Sequence, residues 1–477
     1  MSTILSEREA GLREAGEKYG KAAETALRGF LDNIGEEFLV WLANLYSPRD
    51  CKCNNFDEDG TKICLYKKDP NGNPLCRGGG FYYSNSARDT YGYYVDAEST
   101  AQVCNFVVRS GMINKYDRDF KKAFPKQMQK DILAFAKSLQ DPEDGYFYHP
   151  QFGKNIIPSR RGRDLGWCVR LLDYMGDIPF YDTKIGTKGS LGAPLGDRKS
   201  EEGSEQKSTW VEQLRTLDAF KAYLDTFDVA TKSYTTGNQM NGMSGQIAAR
   251  DRQAIADGEA HDENGDGIAE DGYIAYFEKF FNEKQNPENG LWESGIYYYS
   301  TNALMKMSAN YNNLGIRLNY PKTAFMSAIK IALLPADEQD EKGAYAYGSV
   351  DVYNPWVAMQ QIMMNVQKFG TEEEYLELKQ ILAENAAALI EESRKKASKF
   401  KKPDGSFGYT WSCPPDISAG AKVCPRGEIE GDVNGGCIAT IGVFRHICSA
   451  LELNIPMFSD ETFEKFISII KKNCNYD

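Results

Sequence analysis

The sequence predicts an all-α fold, an (α/α)6–7 toroid of helical hairpins with long loops at one mouth. Two observations support this prediction. Apolar residues recur at three- and four-residue spacing along most of the 477 residues, without a series of alternating strands. One turn sequence also recurs between helices, as is typical of a repeated hairpin. We therefore expect residues 1–477 to form a single toroid domain.

The predicted helices follow from that apolar spacing. In chain order they are Glu7–Phe30, Glu36–Leu45, Ala97–Arg109, Phe120–Leu139, Asp164–Met175, Trp210–Phe227, Glu270–Phe281, Thr301–Leu314, Pro321–Leu334, Trp356–Phe369, Glu372–Ala397, Cys437–Leu453 and Asp460–Lys472. About thirteen helices pair naturally as six or seven hairpins.

The recurring turn combines Pro, an acidic residue or Asn, Gly and aromatic residues. It occurs at Ser138–Pro150, Glu283–Gly295 and Lys399–Trp411, and a fourth copy at Leu45–Asp50 resumes at Gly78 after an insertion. Pro ends the helix, Asp or Asn with Gly reverses the chain, and the aromatics hold the next segment. An open helical array would share these turns, and we favour closure into a ring.

Two segments depart from the helical rhythm. Residues 51–77 are an insertion rich in Asp, Asn and Gly, and residues 186–206 are rich in Gly, Ser and charge. We expect the second segment to be a long flexible loop. It would either cover one mouth of the ring as a lid or lie on the surface.

Two weak metal-binding patterns are present, and both would be structural. The insertion contains four cysteines that fit zinc, disulfides or free thiols. They are Cys51, Cys53, Cys64 and Cys76. The loop with Asp262, Asn264 and Asp266 resembles half of a calcium loop, but Tyr273 stands where the bidentate Glu belongs, so a polar turn is the other interpretation.

Composition limits the classes of function. The net charge of −12 argues against nucleic-acid binding, although a local basic cluster could hold an acidic sugar. Eleven cysteines, an odd number, and the lack of an apolar leader favour a cytoplasmic protein. A secreted protein whose signal peptide had been removed is the alternative. No apolar run suits a membrane, and no membrane partner is expected.

The first candidate site belongs to the turn copy at Ser138–Pro150. His149 and Tyr148 lie among aromatics, ahead of a basic run that contains Arg160 and Arg163. An imidazole can exchange protons, and guanidinium groups can hold a carboxylate. His149 could instead cap the hairpin. Of the other two histidines, we expect His446 to be a packed or solvent-edge residue.

The second candidate site is the run from Trp292 to Leu304, which contains Tyr298, Tyr299 and Asn302. Three consecutive tyrosines cannot all face one core, so at least one hydroxyl should face the cavity. A phenol can take and return the proton that moves in β-elimination of acidic polysaccharides. Tyr298 and Tyr299 are therefore candidates for this acid and base.

Other segments offer supporting or competing chemistry. Asn85 and Arg88 occupy the equivalent place in another hairpin and could bind a carboxylate, or form a simple turn network. Glu428, Glu430 and Asp432 could instead serve glycoside hydrolysis. A noncatalytic glycan-binding toroid would keep the aromatic mouth without an acid or base.

The turns, the FYHPQFG and RRGRDLG segments and the YYYSTNAL segment together resemble the α/α-toroid polysaccharide lyases. That group includes alginate and glucuronan lyases and the toroid domain of heparinase II/III-like enzymes. The resemblance implies metal-independent β-elimination of a uronate glycan. If the protein is cytoplasmic, it should meet short imported oligosaccharides, and we then expect exolytic action. The resemblance gives Tyr299 or Tyr298 and His149 the proton transfers and Asn85 the carboxylate. Substrate binding is expected from Arg88, Arg160, Arg163, Tyr148, Trp292 and Asn302.

Overall fold

The computed structural model describes residues 3–49, 78–90, 92–198 and 210–476, with side chains from residue 6 onward. Helices dominate these residues. They are α1 Thr3–Tyr19, α2 Lys21–Asp32, α3 Glu36–Ala43, α4 Asn85–Asp89, α5 Ala97–Arg109, α6 Phe120–Ala123, α7 Lys126–Ser138, α8 Pro158–Tyr174, α9 Leu217–Asp225, α10 Ser233–Ala256, α11 Tyr273–Asn282, α12 Tyr298–Leu314, α13 Pro321–Leu333, α14 Val350–Phe369, α15 Glu372–Ser398, α16 Val433–Cys437, α17 Val443–Ala450 and α18 Asp460–Cys474.

Extended structure in the described chain is limited to short pieces. Strands β1 Tyr46–Ser47 and β2 Gly80–Phe81 pair antiparallel, as do β3 Ile417–Ser418 and β4 Ala421–Lys422. The all-α expectation is therefore confirmed.

Six helical segments pack in a circuit. Helix α5 packs against α8, α8 against α10, α10 against α12, and α12 against α14. Helix α14 packs against α17, and α16, joined to α17 by a π-turn at Ile438–Gly442, returns to α5. The remaining long helices lie outside this circuit. Thus α7 packs on α8, α11 on α10, α13 on α12 and α14, and α15 on α13 and α14.

The hydrophobic core is one large cluster that joins the circuit helices to the helices packed against them. Phe38 from α3 shows how it joins distant segments, since its ring lies 5.6 Å from the Phe106 ring and 5.7 Å from the Phe407 ring. All three side chains are buried. Burying one such side chain contributes roughly 1.5–3 kcal/mol, so apolar packing holds these distant segments together.

The recurring turn has the same backbone geometry in its copies. Gly145, Gly290 and Gly405 all have positive φ angles, of 74°, 68° and 83°. Glycine adopts this conformation without the steric cost that a Cβ imposes. In the first two copies the loop closes on a residue five positions later, where Asp141 N donates to Tyr146 O and Asn286 N donates to Leu291 O. The predicted Gly-dependent reversal is confirmed.

Some predicted helix boundaries were wrong. The segment Glu7–Phe30 is two helices, because Gly20 between them has a φ of 91°. Helix α10 was not predicted, since its Ser, Thr, Asn and Gly residues have low helix propensity. Its small residues instead allow close packing: a Cβ on Gly242 would lie 3.0 Å from Ser159 O. Packing against neighbours overrides the local preference.

The described part of the predicted flexible loop, residues 186–198, is anchored. Leu191 N donates to Phe180 O, and Leu195 N donates to Pro142 O. Lys188 pairs with Asp182 at 2.8 Å. These contacts fix this part on the hairpin that contains the turn copy at Ser138–Pro150. Residues 199–206, like the four cysteines Cys51, Cys53, Cys64 and Cys76, lie outside the described residues.

No helix in the part of the chain that the structure describes is both long and apolar enough to cross a membrane.

Candidate functional site

A central cavity of about 230 Å³ lies inside the circuit of six helical segments. Each segment contributes to its lining, so the cavity exists only when the circuit is complete. Its polar and aromatic lining comprises Gln102, Asn105 and Arg109 from α5, Arg163 and Trp167 from α8, Tyr234 from α10, Lys306 from α12, Tyr353 and Asn354 from α14, Tyr409, Asn434 from α16, and Arg445 from α17.

A second pocket of about 350 Å³, here called the side pocket, adjoins the central cavity between α8, α10 and α12. Arg163, Trp167 and Lys306 line both spaces. The side pocket adds Arg170, Asn241 and Asn313, together with Gly162, Gly166 and Gly242.

The combined cavity is strongly basic, although the whole chain carries a net charge of −12. Its lining includes Arg109, Arg163, Arg170, Arg445 and Lys306 and no carboxylate. Among the described residues, only Arg163 of these five forms an ion pair, with Glu98 behind the cavity wall. Unneutralised cations in a confined space attract an anionic ligand.

Tyr353, which lines this cavity, forms a hydrogen-bonded pair with His446, which is not one of the lining residues. Tyr353 Oη lies 3.2 Å from His446 Nε2. The other ring nitrogen, Nδ1, bonds to the amide oxygen of Gln360. Because that oxygen can only accept, Nδ1 carries the proton and Nε2 accepts from the Tyr353 hydroxyl. The tyrosine oxygen therefore has an adjacent base.

Electrostatics keep His446 neutral. Burial, followed by the charges of Arg109 and Arg445, lowers the pKa of His446 to about 3. Burial raises the pKa of Tyr353, and Arg109 partly offsets that increase. The unliganded pair is thus held as a neutral imidazole and a phenol.

Two irregular backbone segments position the Tyr353 ring. Pro355 in α14 has no N–H to donate to the carbonyl of residue 351. Opposite it, the π-turn ends at Gly442, where a Cβ would lie 3.0 Å from Tyr353 Cε2. The ring therefore packs directly on the glycine backbone. Such π-turns often occur at functional sites.

Asn354, next to the tyrosine, is completely buried, yet it lines the central cavity. Neither of its amide atoms has a hydrogen-bond partner among the described residues. An unpaired buried polar group costs about 1–3 kcal/mol, which a bound polar ligand would recover. Asn354 is therefore a natural ligand contact.

Lys306 lines both spaces and is half-buried. Burial and the charge of Arg163, partly offset by Glu98, lower the pKa of Lys306 to about 7. No hydrogen bond from its ammonium group reaches a described residue. Near neutral pH it can bind an anion in its charged form or accept a proton in its neutral form.

Arg160 is a structural cation rather than part of the cavity lining. Its side chain is fully buried and contacts Asp96, Asp164 at 2.9 Å and Glu98 at 3.3 Å. Asp96 also caps α5 by accepting from Ser99 N at 2.8 Å. This network joins α5 to α8. Arg163, by contrast, reaches the cavity as expected.

His149 lies outside the central cavity, with both ring nitrogens engaged. Nε2 bonds to Val95 O at 2.8 Å, and Nδ1 accepts from Gln151 N at 3.2 Å. Burial lowers the pKa of His149 to about 4. Its neighbour Tyr148 donates to Asp144 at 2.9 Å. The His149 ring thus links its own turn to the segment just before α5, and this fits the hairpin-cap interpretation.

The two candidate tyrosines have different environments. Tyr299 Oη lies 3.1 Å from Thr235 Oγ1, and its ring packs edge-on against Tyr234, which lines the cavity. Tyr298 is buried, and its hydroxyl has no hydrogen-bond partner among the described residues. Burial raises the pKa of Tyr298. Neither tyrosine lines the central cavity or the side pocket, and no hydrogen bond or ring contact joins either one to His149.

The remaining substrate-binding candidates are engaged in the fold. Trp292 is buried and donates to Phe281 O at 2.9 Å. Asn302 donates to Asp351 at 2.7 Å. Arg88 pairs with Asp89 at 2.7 Å, and Asn85 begins the short helix α4. None of the four lines the central cavity or the side pocket.

The calcium-like loop uses its side chains for its own turn. Asp262 accepts from Gly265 N and Gly267 N at 2.7 and 2.9 Å, and Asn264 and Asp266 accept from residues two positions later. The described residues contain no group of three acidic, His or Cys side chains arranged for a metal. This geometry fits the polar-turn interpretation.

The carboxylates considered for hydrolysis do not line the cavity. Glu430 accepts from Ser86 N at 3.0 Å, and Asp432 caps α16 by accepting from Gly435 N at 2.7 Å. Glu428 is exposed. None of these three carboxylates is therefore placed to act with a second one on a sugar in the central cavity.

Sequence reasoning missed most of the cavity residues. Tyr353, Asn354 and Lys306 lie within helices and have no unusual neighbours in sequence. The only local signals were Pro355 inside a helical pattern and the glycine at position 442.

Comparison with known proteins finds no family model that matches the chain and no curated protein with a significant match.

Proposed function

We propose that the protein is an α/α-toroid lyase that cleaves a uronic-acid-containing oligosaccharide or polysaccharide by β-elimination. In this proposal the six-segment circuit is the inner barrel of an (α/α)6 toroid, and the reaction takes place in its central cavity. The observation that carries the proposal is the hydrogen bond between His446 and Tyr353, which lines a basic cavity without a carboxylate in its lining. Those features match a substrate with a carboxylate and an acidic C–H bond.

The basic residues serve the substrate carboxylate. Arg109 and Arg445 flank the pair and are proposed to hold the uronate carboxylate, while the unpaired amide of Asn354 donates to it. Neutralising this group stabilises the enolate-like charge that develops when C5 loses its proton. Arginine is suited to this task because its planar fork matches a carboxylate.

The proton transfers then follow from the hydrogen bond. His446 Nε2 takes the hydroxyl proton of Tyr353, and the tyrosine oxygen takes the C5 proton. As the C5–H electrons form the C4–C5 double bond, the bond between C4 and the glycosidic oxygen breaks. The leaving oxygen receives a proton from Tyr353, and His446 returns its proton to the tyrosine. No oxidant or reductant is needed.

The substrate would activate the base that attacks it. Arg109 and Arg445 contribute to the low pKa of His446. A carboxylate bound between these arginines offsets their charge and therefore raises the pKa of His446. A bound anion therefore makes His446 a better proton acceptor, although burial remains the main cause of its low pKa.

Two other interpretations make different predictions for the same cavity. A hydrolase would need two carboxylates beside the scissile bond, and the cavity lining contains none. A noncatalytic binding protein would use the basic and aromatic lining alone. The hydrogen bond from Tyr353 to His446 favours an enzyme over a binding protein.

The test is absorbance near 235 nm during incubation with purified polymers and oligomers of mannuronate, guluronate, galacturonate and glucuronate. The proposal expects a rise with at least one substrate, because the product has a double bond conjugated to its carboxylate. A flat trace with new reducing ends would replace it with hydrolysis. Binding measured by calorimetry without any product would replace it with a noncatalytic role.

A further inference from the structure

The side pocket has the features of a binding site that the elimination chemistry does not use. It shares Arg163, Trp167 and Lys306 with the lining of the central cavity. It also has its own cation, Arg170, which does not line the central cavity. No carboxylate lines it. A ligand that reached past the three shared residues would meet positive charge in both spaces.

The shape of the side pocket is fixed by close helix packing. A Cβ on Gly162 would lie 1.8 Å from Gly242 O, so α8 and α10 touch through their backbones at this point. One turn farther along α8, a Cβ on Gly166 would meet nothing within 4 Å. Glycine inside a helix is unfavourable relative to alanine. Gly166 is exposed, so the space beside it is open to solvent, while the α8–α10 contact fixes the wall next to it.

The lining suits a charged sugar ring. Trp167 presents an aromatic surface at the junction, and Asn241 and Asn313 supply amide groups. Ligand sites commonly combine an apolar surface with a few polar groups that fix orientation. The Lys306 ammonium, which has no hydrogen-bond partner among the described residues, points to an anion between the two spaces.

We propose that the side pocket binds a second acidic sugar of the substrate, next to the pair of sugars that flank the scissile bond. This inference rests on the proposed lyase function. It specifies the substrate class as an oligosaccharide with negative charge on successive residues. A glycan in which charged and neutral sugars alternate would place a neutral ring at Arg170.

The experiment compares uronate oligomers of two, three and four residues, made from the sugar that the wild-type enzyme cleaves. Steady-state kcat and KM are measured at 235 nm for wild type, Gly166→Leu and Arg170→Gln. Gly166→Ala is the matched small substitution. Arg252→Gln is the charge control, because Arg252 is exposed on α10 and lines neither space.

Wild type is expected to have a KM about tenfold lower for the trimer than for the dimer. A tenfold change is about the gain in affinity that one charge-assisted hydrogen bond provides. Gly166→Leu and Arg170→Gln should abolish that preference and leave kcat for the dimer unchanged. The two control variants should keep the preference.

Elimination without a chain-length preference, or a preference that survives both test variants, would overturn the side-pocket assignment alone. Absence of elimination with every uronate would instead overturn the proposed function and this inference with it. Calorimetry with the trimer in a Tyr353→Phe background separates binding from turnover. The expected result there is an additional affinity loss with Arg170→Gln but not with Arg252→Gln.

Discussion

The phenol oxygen of Tyr353 lies 3.2 Å from Nε2 of His446, and the two rings meet at an interplanar angle of 80°. The residues come from α14 and α17, so helix packing rather than a local motif sets this distance. The relationship gives the basic cavity a group that can move a proton. The predictions below test that assignment.

Replacing Tyr353 by Phe removes only the oxygen. We expect kcat for elimination to fall by about 10²- to 10⁴-fold, the usual contribution of an acid–base group, with little change in the affinity for oligouronate. Absorbance at 235 nm and calorimetry measure the two quantities. Tyr299→Phe is the matched control, because its hydroxyl contacts Thr235 instead of the cavity lining. A larger loss in Tyr299→Phe would move the proton transfer to that residue.

Replacing Arg445 by Gln should raise the pKa of His446, because the Arg445 charge is one cause of its low value. The chain has only three histidines, so the imidazole signals can be titrated by NMR and assigned with single substitutions. Addition of an oligouronate to wild type should shift the same signal in the same direction. An unchanged His446 titration in both experiments would remove the proposed link between substrate charge and base strength.

Gly442→Ala tests the positioning of the tyrosine ring. The new methyl group would lie 3.0 Å from both Cys437 O and Tyr353 Cε2, so the ring must move. We expect a kcat loss of about tenfold or more with KM nearly unchanged, because small displacements of reacting groups are costly. Gly166→Ala adds the same methyl group where nothing lies within 4 Å. Equal kinetics for the two variants would show that the ring position is not critical.

Arg160→Met should affect stability more than substrate binding. It leaves the carboxylates of Asp96, Glu98 and Asp164 buried without their central cation. Removing one partner of a buried ionic network costs about 3–5 kcal/mol, which denaturant titration can measure. Its KM for oligouronate should stay near that of wild type. A stable variant with a raised KM would instead support the substrate role expected from the sequence.

Acid should destabilise the fold partly through His149. Its folded-state pKa is about 4, below the ordinary value of about 6.5, because burial disfavours the charged ring. The unfolded chain therefore binds more protons between these values. This stabilising contribution is complete above about pH 6.5 and is lost as the pH falls toward 4. We expect His149→Gln to reduce the pH dependence of the unfolding free energy by up to about 3 kcal/mol over that range. Equal slopes for both proteins would contradict this account.

Local features of the sequence predicted much of the fold. The turns around Gly145 and Gly290 were found because Pro, Asn or Asp, and Gly act on neighbouring backbone. The same local reasoning missed α10, whose small polar residues are poor helix formers in isolation. It also directed attention to His149, whose aromatic neighbours form a packed hairpin.

By itself, the sequence determined that this protein is built of helices joined by recurring Gly-dependent turns, since periodicity and turn chemistry act over a few residues. Tertiary structure alone decided that Tyr353 bonds to His446 and that five cations from α5, α8, α12 and α17 line the central cavity and the side pocket. These helices are far apart along the chain, and each lining side chain reaches its cavity only because of how its helix packs against its neighbours. A helix face can be read from its apolar stripe, but polar residues on an inner helix carry no local signal that they face a cavity instead of solvent.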